Sequence, residues 1–186
     1  MIFSRHSFTL LIVTLDLADK AATLVEQHLT GVRRRAGGTQ AGHSARVAAE
    51  ITKYDLPAYV VIAALLHDMV EDTFFTNEDI MSQFGEQVAS LVQHLTKDEN
   101  KSGTKRERAH LKSIEAGGEY AVAIKLADNL DNIRTIENLK HPYIYLRYAK
   151  KIQMLGQRVL GEDHKLVLKH LEAYKIASLL DERKSS

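Results

Sequence analysis

Residues 57–73 read PAYVVIAALLHDMVEDT. The first half, Val60 through Leu66, is apolar on every side, and a helix without a polar face is a buried helix. Pro57 suits a first turn, where its missing N–H costs nothing. The run leads directly into His67, Asp68, Glu71 and Asp72. On one continuous helix His67 and Glu71 share a face, and Asp68 and Asp72 share the next. Ionisable groups at the end of a buried segment are costly unless a metal, a partner or a water-lined cleft compensates them. A helix end reaching solvent is the plainer account of such a group. The apolar run ahead of it turns these side chains inward, and that favours a metal site.

The rest of the composition narrows the chemistry. The chain has 186 residues, 45% of them hydrophobic and 26% charged, which suits one globular domain with a core. Cys is absent, so disulfides, thiolate metal sites and a Cys nucleophile are excluded. Any metal must be held by His, carboxylate and water. A net charge of +1 gives no global case for nucleic acid. Basic residues cluster locally at Arg33–Arg35 and from Lys101 to Lys112, which fits a small anionic ligand. The apolar stretch Phe8–Leu15 is too short to span a bilayer and has no small-residue cleavage site. We expect residues 1–13 to form a leader, frayed or packed on the domain, ahead of a domain over 14–182, with no membrane span and a cytoplasmic location.

Helical periodicity runs almost throughout. Leu15, Ala18, Ala22, Val25 and Leu29 predict a helix over 14–30. Gly31, Gly37 and Gly38 mark a loop carrying Arg33, Arg34 and Arg35. Further helices are expected from about 41, across 57–73, from the cap-like Thr76 to Phe84, over 86–95, and at about 104–116, 119–137, 141–160 and 164–180. Lys97–Gly103 reads as a polar, mobile connection. No window alternates long enough for a sheet, so the expected fold is all-α: one helical bundle of about eight to ten helices. A second stretch, KLADNLDNIRT over 125–135, places Asp128, Asn132 and Thr135 on one helix face and Leu126, Leu130 and Ile133 on the other. Alone it is an ordinary amphipathic pattern. Beside a His-Asp site, Asp128 becomes the candidate for a remote carboxylate ligand. His43, one turn before Val47, reads locally as a hydrogen-bonded core residue.

AALLHDMVEDT and KLADNLDNIRT, with RRRAGG and His43 upstream, resemble the hydrolase domain of RelA/SpoT-type alarmone enzymes, a branch of the HD phosphohydrolases. The two motifs together, in this order and at this separation, are specific. The similarity extends from about Leu15 to Leu180, and the length leads us to expect a stand-alone small alarmone hydrolase without a synthetase domain. The resemblance implies one divalent metal ion, Mn²⁺, held by His43, His67, Asp68 and Asp128. It implies that Glu71 and Asp72 position and activate the attacking water. It implies nucleotide and phosphate contacts from Arg34, Arg35 and Asn132, with Thr135 and Tyr145 in comparable positions. The sequence departs from the family at Thr39–Ser44, which lacks the usual prolines. It departs again at Asn129, often Arg or Lys, and at Asp131, often His or Tyr. We expect these changes, with Gly42, around the nucleotide pocket.

The chemistry is consistent with that resemblance. Two imidazoles and two carboxylates leave open positions on a borderline octahedral ion. The expected reaction is metal-dependent removal of the 3′-pyrophosphate from (p)ppGpp, giving GDP or GTP and pyrophosphate. The alternatives are a related phosphohydrolase acting on ppApp or NADPH, and a nucleotide-binding regulator without turnover. The expected partner is a small nucleotide, with no nucleic acid or membrane. Monomer and homodimer both stay open.

Overall fold

In the computed structural model, residues 5–139 and 141–185 are described, with side chains over 15–139 and 141–181. Ten α-helical segments follow one another among them: α1 Arg5–Leu29, α2 Gln40–Ile51, α3 Ala58–Leu66, α4 Met69–Asp72, α5 Asn77–Phe84, α6 Glu86–Leu95, α7 Gly103–Ala116, α8 Gly118–Arg134, α9 Pro142–Leu160 and α10 Lys165–Ser185. A 3₁₀ turn, Ile136–Asn138, follows α8. The only β pairing among the described residues is an isolated bridge between Arg33 and Thr39, which closes the arginine loop. The all-α expectation holds.

Local chemistry sets the helix ends. The Thr39 hydroxyl accepts from Gly42 N and caps α2. Thr76 and Asp79 form a reciprocal capping box at α5. Gly85, at φ 88°, lets α5 pass directly into α6, a conformation that costs other residues. Pro142 starts α9. α1 begins nine residues ahead of the expected start, so the helix runs back through residues 5–13. No Gly or Pro interrupts the chain before Gly31, and a helix once nucleated propagates through such a stretch. Residues 1–4 lie outside the described residues.

The core is built around α8, which packs against α2, α7, α9 and α10. Leu126, Leu130 and Ile133 are buried, as the pattern predicts. So are Lys125, Asp128, Asn129 and Asp131, so the helix is enclosed rather than amphipathic. α9 comes close at Gly156, where an added Cβ would lie 2.7 Å from Leu126 Cδ1. α3 is buried through Val60, Ile62, Ala63, Ala64 and Leu66; Val60, Ile62 and Leu66 each contribute about 1.5–3 kcal/mol by removal from water, the two alanines less.

The expected helix over 57–73 is broken at its most informative point. α3 ends at Leu66, and α4 restarts at Met69. Between them Asp68 adopts φ −102°, ψ −1°, the sparsely populated bridge conformation. The His67 ring stabilises the break, because its Nδ1–H donates to Ala64 O at 2.8 Å, a carbonyl left without a helical partner.

Candidate metal centre and cleft

Three segments bring the expected ligands together: α2 supplies His43, the α3–α4 corner His67 and Asp68, and α8 Asp128. Ligand atoms of His43, His67 and Asp128 lie within 4.8 Å of one another, and all three residues are buried. His43 Nε2 is 3.0 Å from Asp128 Oδ1 and 3.7 Å from Asp68 Oδ2. His67 Nε2 is 3.0 Å from Asp68 Oδ2. Gln40 Nε2 also donates to Asp68 Oδ2.

The tautomers decide what this cluster can hold. His67 Nδ1–H is used by Ala64 O, and His43 Nδ1–H by Asp131 Oδ2 at 2.7 Å. Each imidazole therefore turns an Nε2 lone pair toward carboxylate oxygens. His67 Nε2 is buried without a hydrogen bond of acceptable geometry. Lone pairs facing carboxylates repel unless a proton or a cation lies between them. Burial alone would lower the pKa of His43, but its bonds to Asp128 and Asp131 outweigh this and raise it to about 9. Burial would raise Asp128, yet the Lys125 ammonium and His43 hold it well below the usual carboxylate range. Burial would raise Asp68 too; His67 wins and holds it low. Two neutral-capable imidazoles and two persistent carboxylates fit a divalent cation.

The polar residues around the cluster are themselves tied down. Lys125 Nζ lies 2.6 Å from Asp128 Oδ2, leaving Oδ1 to face His43. Asn132 Nδ2 donates to Asp128 O and Oδ1, and its Oδ1 accepts from Arg34 at 2.7 Å. Sequence reasoning missed Gln40 and Lys125. For Lys125 the signal was its spacing, one turn before Asp128.

A cleft of about 570 Å³ adjoins the cluster, with Arg35, Glu71, Asp72, Lys97, Arg106 and Tyr145 among its lining residues. This is within the usual range for small-ligand sites. A smaller cleft of about 250 Å³ shares Arg35, Asp72 and Tyr145 with it, and adds Arg34, Gln40 and Asn132. Gln40 and Asn132 are bonded to Asp68 and Asp128, so the cluster lies directly behind this wall. Glu71 accepts from the Lys97 backbone N–H and from its ammonium, both at 2.7 Å. These two bonds hold Lys97, the first residue of the polar connection, against α4. Asp72 stands exposed at the cleft, and its pKa is pushed up by partial burial and then by the charges of Asp68 and Glu71.

An HD domain family model matches residues 21–155. The chain belongs to the HD domain family. It is similar to the MESH1 guanosine-3′,5′-bis(diphosphate) 3′-pyrophosphohydrolase of Drosophila melanogaster, with 41% identity over 78 residues, 42% of this chain and 44% of that protein. It is 39% identical over 108 residues to the guanosine-3′,5′-bis(diphosphate) 3′-pyrophosphohydrolase of Aquifex aeolicus, covering 56% of this chain and 15% of that protein. The chain spans less than half the length of either relative. A solved structure of a metazoan orthologue of SpoT, described as hydrolysing ppGpp, matches with a TM-score of 0.75 at 26% identity, over 86% of this chain and 94% of that one. The crystal structure of lmo0812 from Listeria monocytogenes matches with a TM-score of 0.65 at 26% identity, over 73% of this chain and 94% of that one. These matches bear out the resemblance read from the two motifs.

Against that family frame, several expected pocket residues of this HD domain lie elsewhere. Arg34 does line the smaller cleft, but its side chain is only 7% exposed and is engaged by Asp131 and Asn132. Thr135 caps α8, its hydroxyl donating to Asp131 O and Asn132 O, and it lines neither cleft. Helical hydroxyls have such carbonyls within reach, so a place on the right face does not free the side chain. Asn129 turns the other way, into the core, 2.8 Å from His170 Nε2, because one residue rotates the side chain by about 100° round the helix. Asp131 sits behind His43 rather than on the cleft wall. Gly42 faces Thr39 and Arg46, each 3.3 Å from where its Cβ would stand. Its small size therefore serves the start of α2 and does not loosen the pocket.

Proposed function

We propose that this HD domain removes the 3′-pyrophosphate of (p)ppGpp, giving GDP or GTP and pyrophosphate, with Mn²⁺ held by His43, His67, Asp68 and Asp128. The observation that carries the reading is the buried pair of imidazole lone pairs facing two carboxylates, immediately behind a cleft with basic and acidic walls. The relatives named for this reaction support the substrate. A divalent ion in such a site supplies Lewis acidity, which acidifies water and withdraws charge from a phosphoryl oxygen.

The chain's own groups do the rest. Glu71, at the cleft one turn after His67, takes the proton of the attacking water. Asp72 orients that water or Glu71. Arg35 and Arg106 line the cleft and neutralise phosphate charge, for which a guanidinium fork is suited. Tyr145, shared by both clefts, offers a flat surface to the nucleoside. Asn132 links the nucleotide side to Asp128. No described helix is long and apolar enough to cross a membrane; a cytoplasmic site of action belongs to this proposal.

One observation favours a broadened substrate range: Arg34, implied as a nucleotide contact, lines the smaller cleft but has its guanidinium already committed to Asp131 and Asn132. We infer that guanine is preferred over adenine by less than the family norm. Turnover of ppGpp, ppApp and NADPH under identical Mn²⁺ and salt tests both statements. ppGpp should have the highest kcat/KM, with ppApp within about a thousandfold, since a few pocket contacts are worth roughly 1–3 kcal/mol each. A clear preference for ppApp or NADPH overturns the substrate assignment. Binding of all three without turnover favours a regulator.

A further inference from the structure

Asp128 and Asp131 stand one turn apart on α8 and bracket the two nitrogens of one imidazole. Asp128 Oδ1 faces His43 Nε2 at 3.0 Å, and Asp131 Oδ2 faces Nδ1 at 2.7 Å. The two acids differ in what else they touch. Both oxygens of Asp131 are taken up away from the cluster. Oδ1 accepts from Arg46 Nε at 2.7 Å, and Oδ2 from Arg46 Nη2 at 3.1 Å and Arg34 Nη1 at 3.2 Å. Arg46 reaches in from the surface, its side chain 51% exposed, to clamp a carboxylate only 6% exposed. Such a bidentate fork fixes orientation as well as charge. A buried carboxylate with three cationic or N–H partners is compensated rather than stranded.

We propose that Asp131 is a positioning residue for the metal site: clamped by Arg46 and Arg34, it holds His43 through Nδ1–H and aims Nε2 at the ion. The proposal rests on the metal reading of the cluster given above. A carboxylate on the far nitrogen fixes the ring's tautomer and angle and makes the facing nitrogen a better donor. The clamp also explains why Arg34, at the wall of the smaller cleft, spends one guanidinium nitrogen on Asp131.

The test is titration of metal-free protein with Mn²⁺ by calorimetry, for wild type, Asp131→Ala and Asp131→Asn. Asp131→Ala should weaken Mn²⁺ binding by about ten- to a hundredfold, the usual range for losing a ligand's outer partner. Asp131→Asn keeps an acceptor for Nδ1–H but loses the charge, and should fall between the two. KM for ppGpp at saturating Mn²⁺ should stay within about twofold, because Asp131 touches the ligand and not the substrate. If Asp131→Ala does not fold, Asp131→Asn carries the comparison. Wild-type Mn²⁺ affinity in the folded variants overturns the positioning role and leaves the metal reading standing. A raised KM with unchanged Mn²⁺ affinity also overturns it. No Mn²⁺ uptake by wild type overturns the metal reading, and the positioning role with it.

Discussion

At the residue scale, the groups that would hold the proposed ion are separate from the groups that would move protons. His43 has one ring nitrogen committed to Asp131 and the other turned to Asp128, so its removal takes away both a ligand and a spacer between two acids. His43→Ala should lose bound metal and turnover together, read by elemental analysis and a ppGpp assay; full metal content in that variant removes His43 from the ligand set. Glu71 touches Lys97 rather than the cluster. Glu71→Gln should retain the metal while turnover falls by roughly a hundredfold or more, the scale of a lost general base. Near-normal turnover would end its role. The His43 imidazole also sets a pH dependence. Its pKa is raised from 6.5 to about 9 in the metal-free protein. The stability it contributes is therefore complete below about pH 6.5 and lost as pH rises through about 9. Mn²⁺ must displace that proton, so affinity should rise with pH up to about 9. Melting curves of metal-free wild type and His43→Gln across this window give the difference. Parallel curves would show that the imidazole is not protonated there.

At the element scale, the break between α3 and α4 and the burial of α8 do the positioning. α7 contributes charge: Arg106 lines the larger cleft, close to Lys97 and Glu107. Arg106→Glu should raise the substrate KM severalfold and blunt its dependence on salt, because an attractive charge becomes a repulsive one. Unchanged kinetics would make α7 an ordinary solvated face. α10 is joined to α8 and α9 by His170, whose ring engages Asn129 and Gln153 at 2.8 and 2.7 Å. Burial lowers its pKa to about 4, so its contribution is present above about pH 6.5 and lost as pH falls toward about 4. His170→Ala removes the partner of two buried amide oxygens, Asn129 Oδ1 and Gln153 Oε1, and should cost roughly 1–3 kcal/mol each in urea unfolding.

At the scale of the whole molecule, the proposed ion would tie together elements far apart in sequence. α2, the α3–α4 corner and α8 each bring a proposed ligand, so an ion that binds the folded state alone would stabilise all of them. Mn²⁺ at about a hundred times its Kd should add about 2.7 kcal/mol, or roughly 5–10 °C in Tm for a chain of this size. Chelation should reverse the shift. An unchanged Tm across the titration would separate the cluster from metal binding. The net charge of +1 leaves steering of an anionic nucleotide to the local basic walls of the cleft.

The sequence by itself determined the fold class, the family, and most helices to within a few residues, and it named the His and carboxylate residues that the fold gathers. Apolar periodicity and capping signals are local properties, and two specific motifs name their own residues. The tertiary structure alone decided which polar side chains meet. It broke the 57–73 helix at His67–Asp68, where the corner replaces a helical hydrogen bond with one from a ring nitrogen. It sent Asn129 to the core and Asp131 behind His43, although both share a helix with Asp128. It also tied Arg34, at the wall of the smaller cleft, to Asp131 and Asn132. The physical reason is that a helix pattern fixes the angle of each side chain around its own axis. What waits at that angle is set by the packing of α2, α9 and α10, and buried polar groups take whatever partner that packing offers.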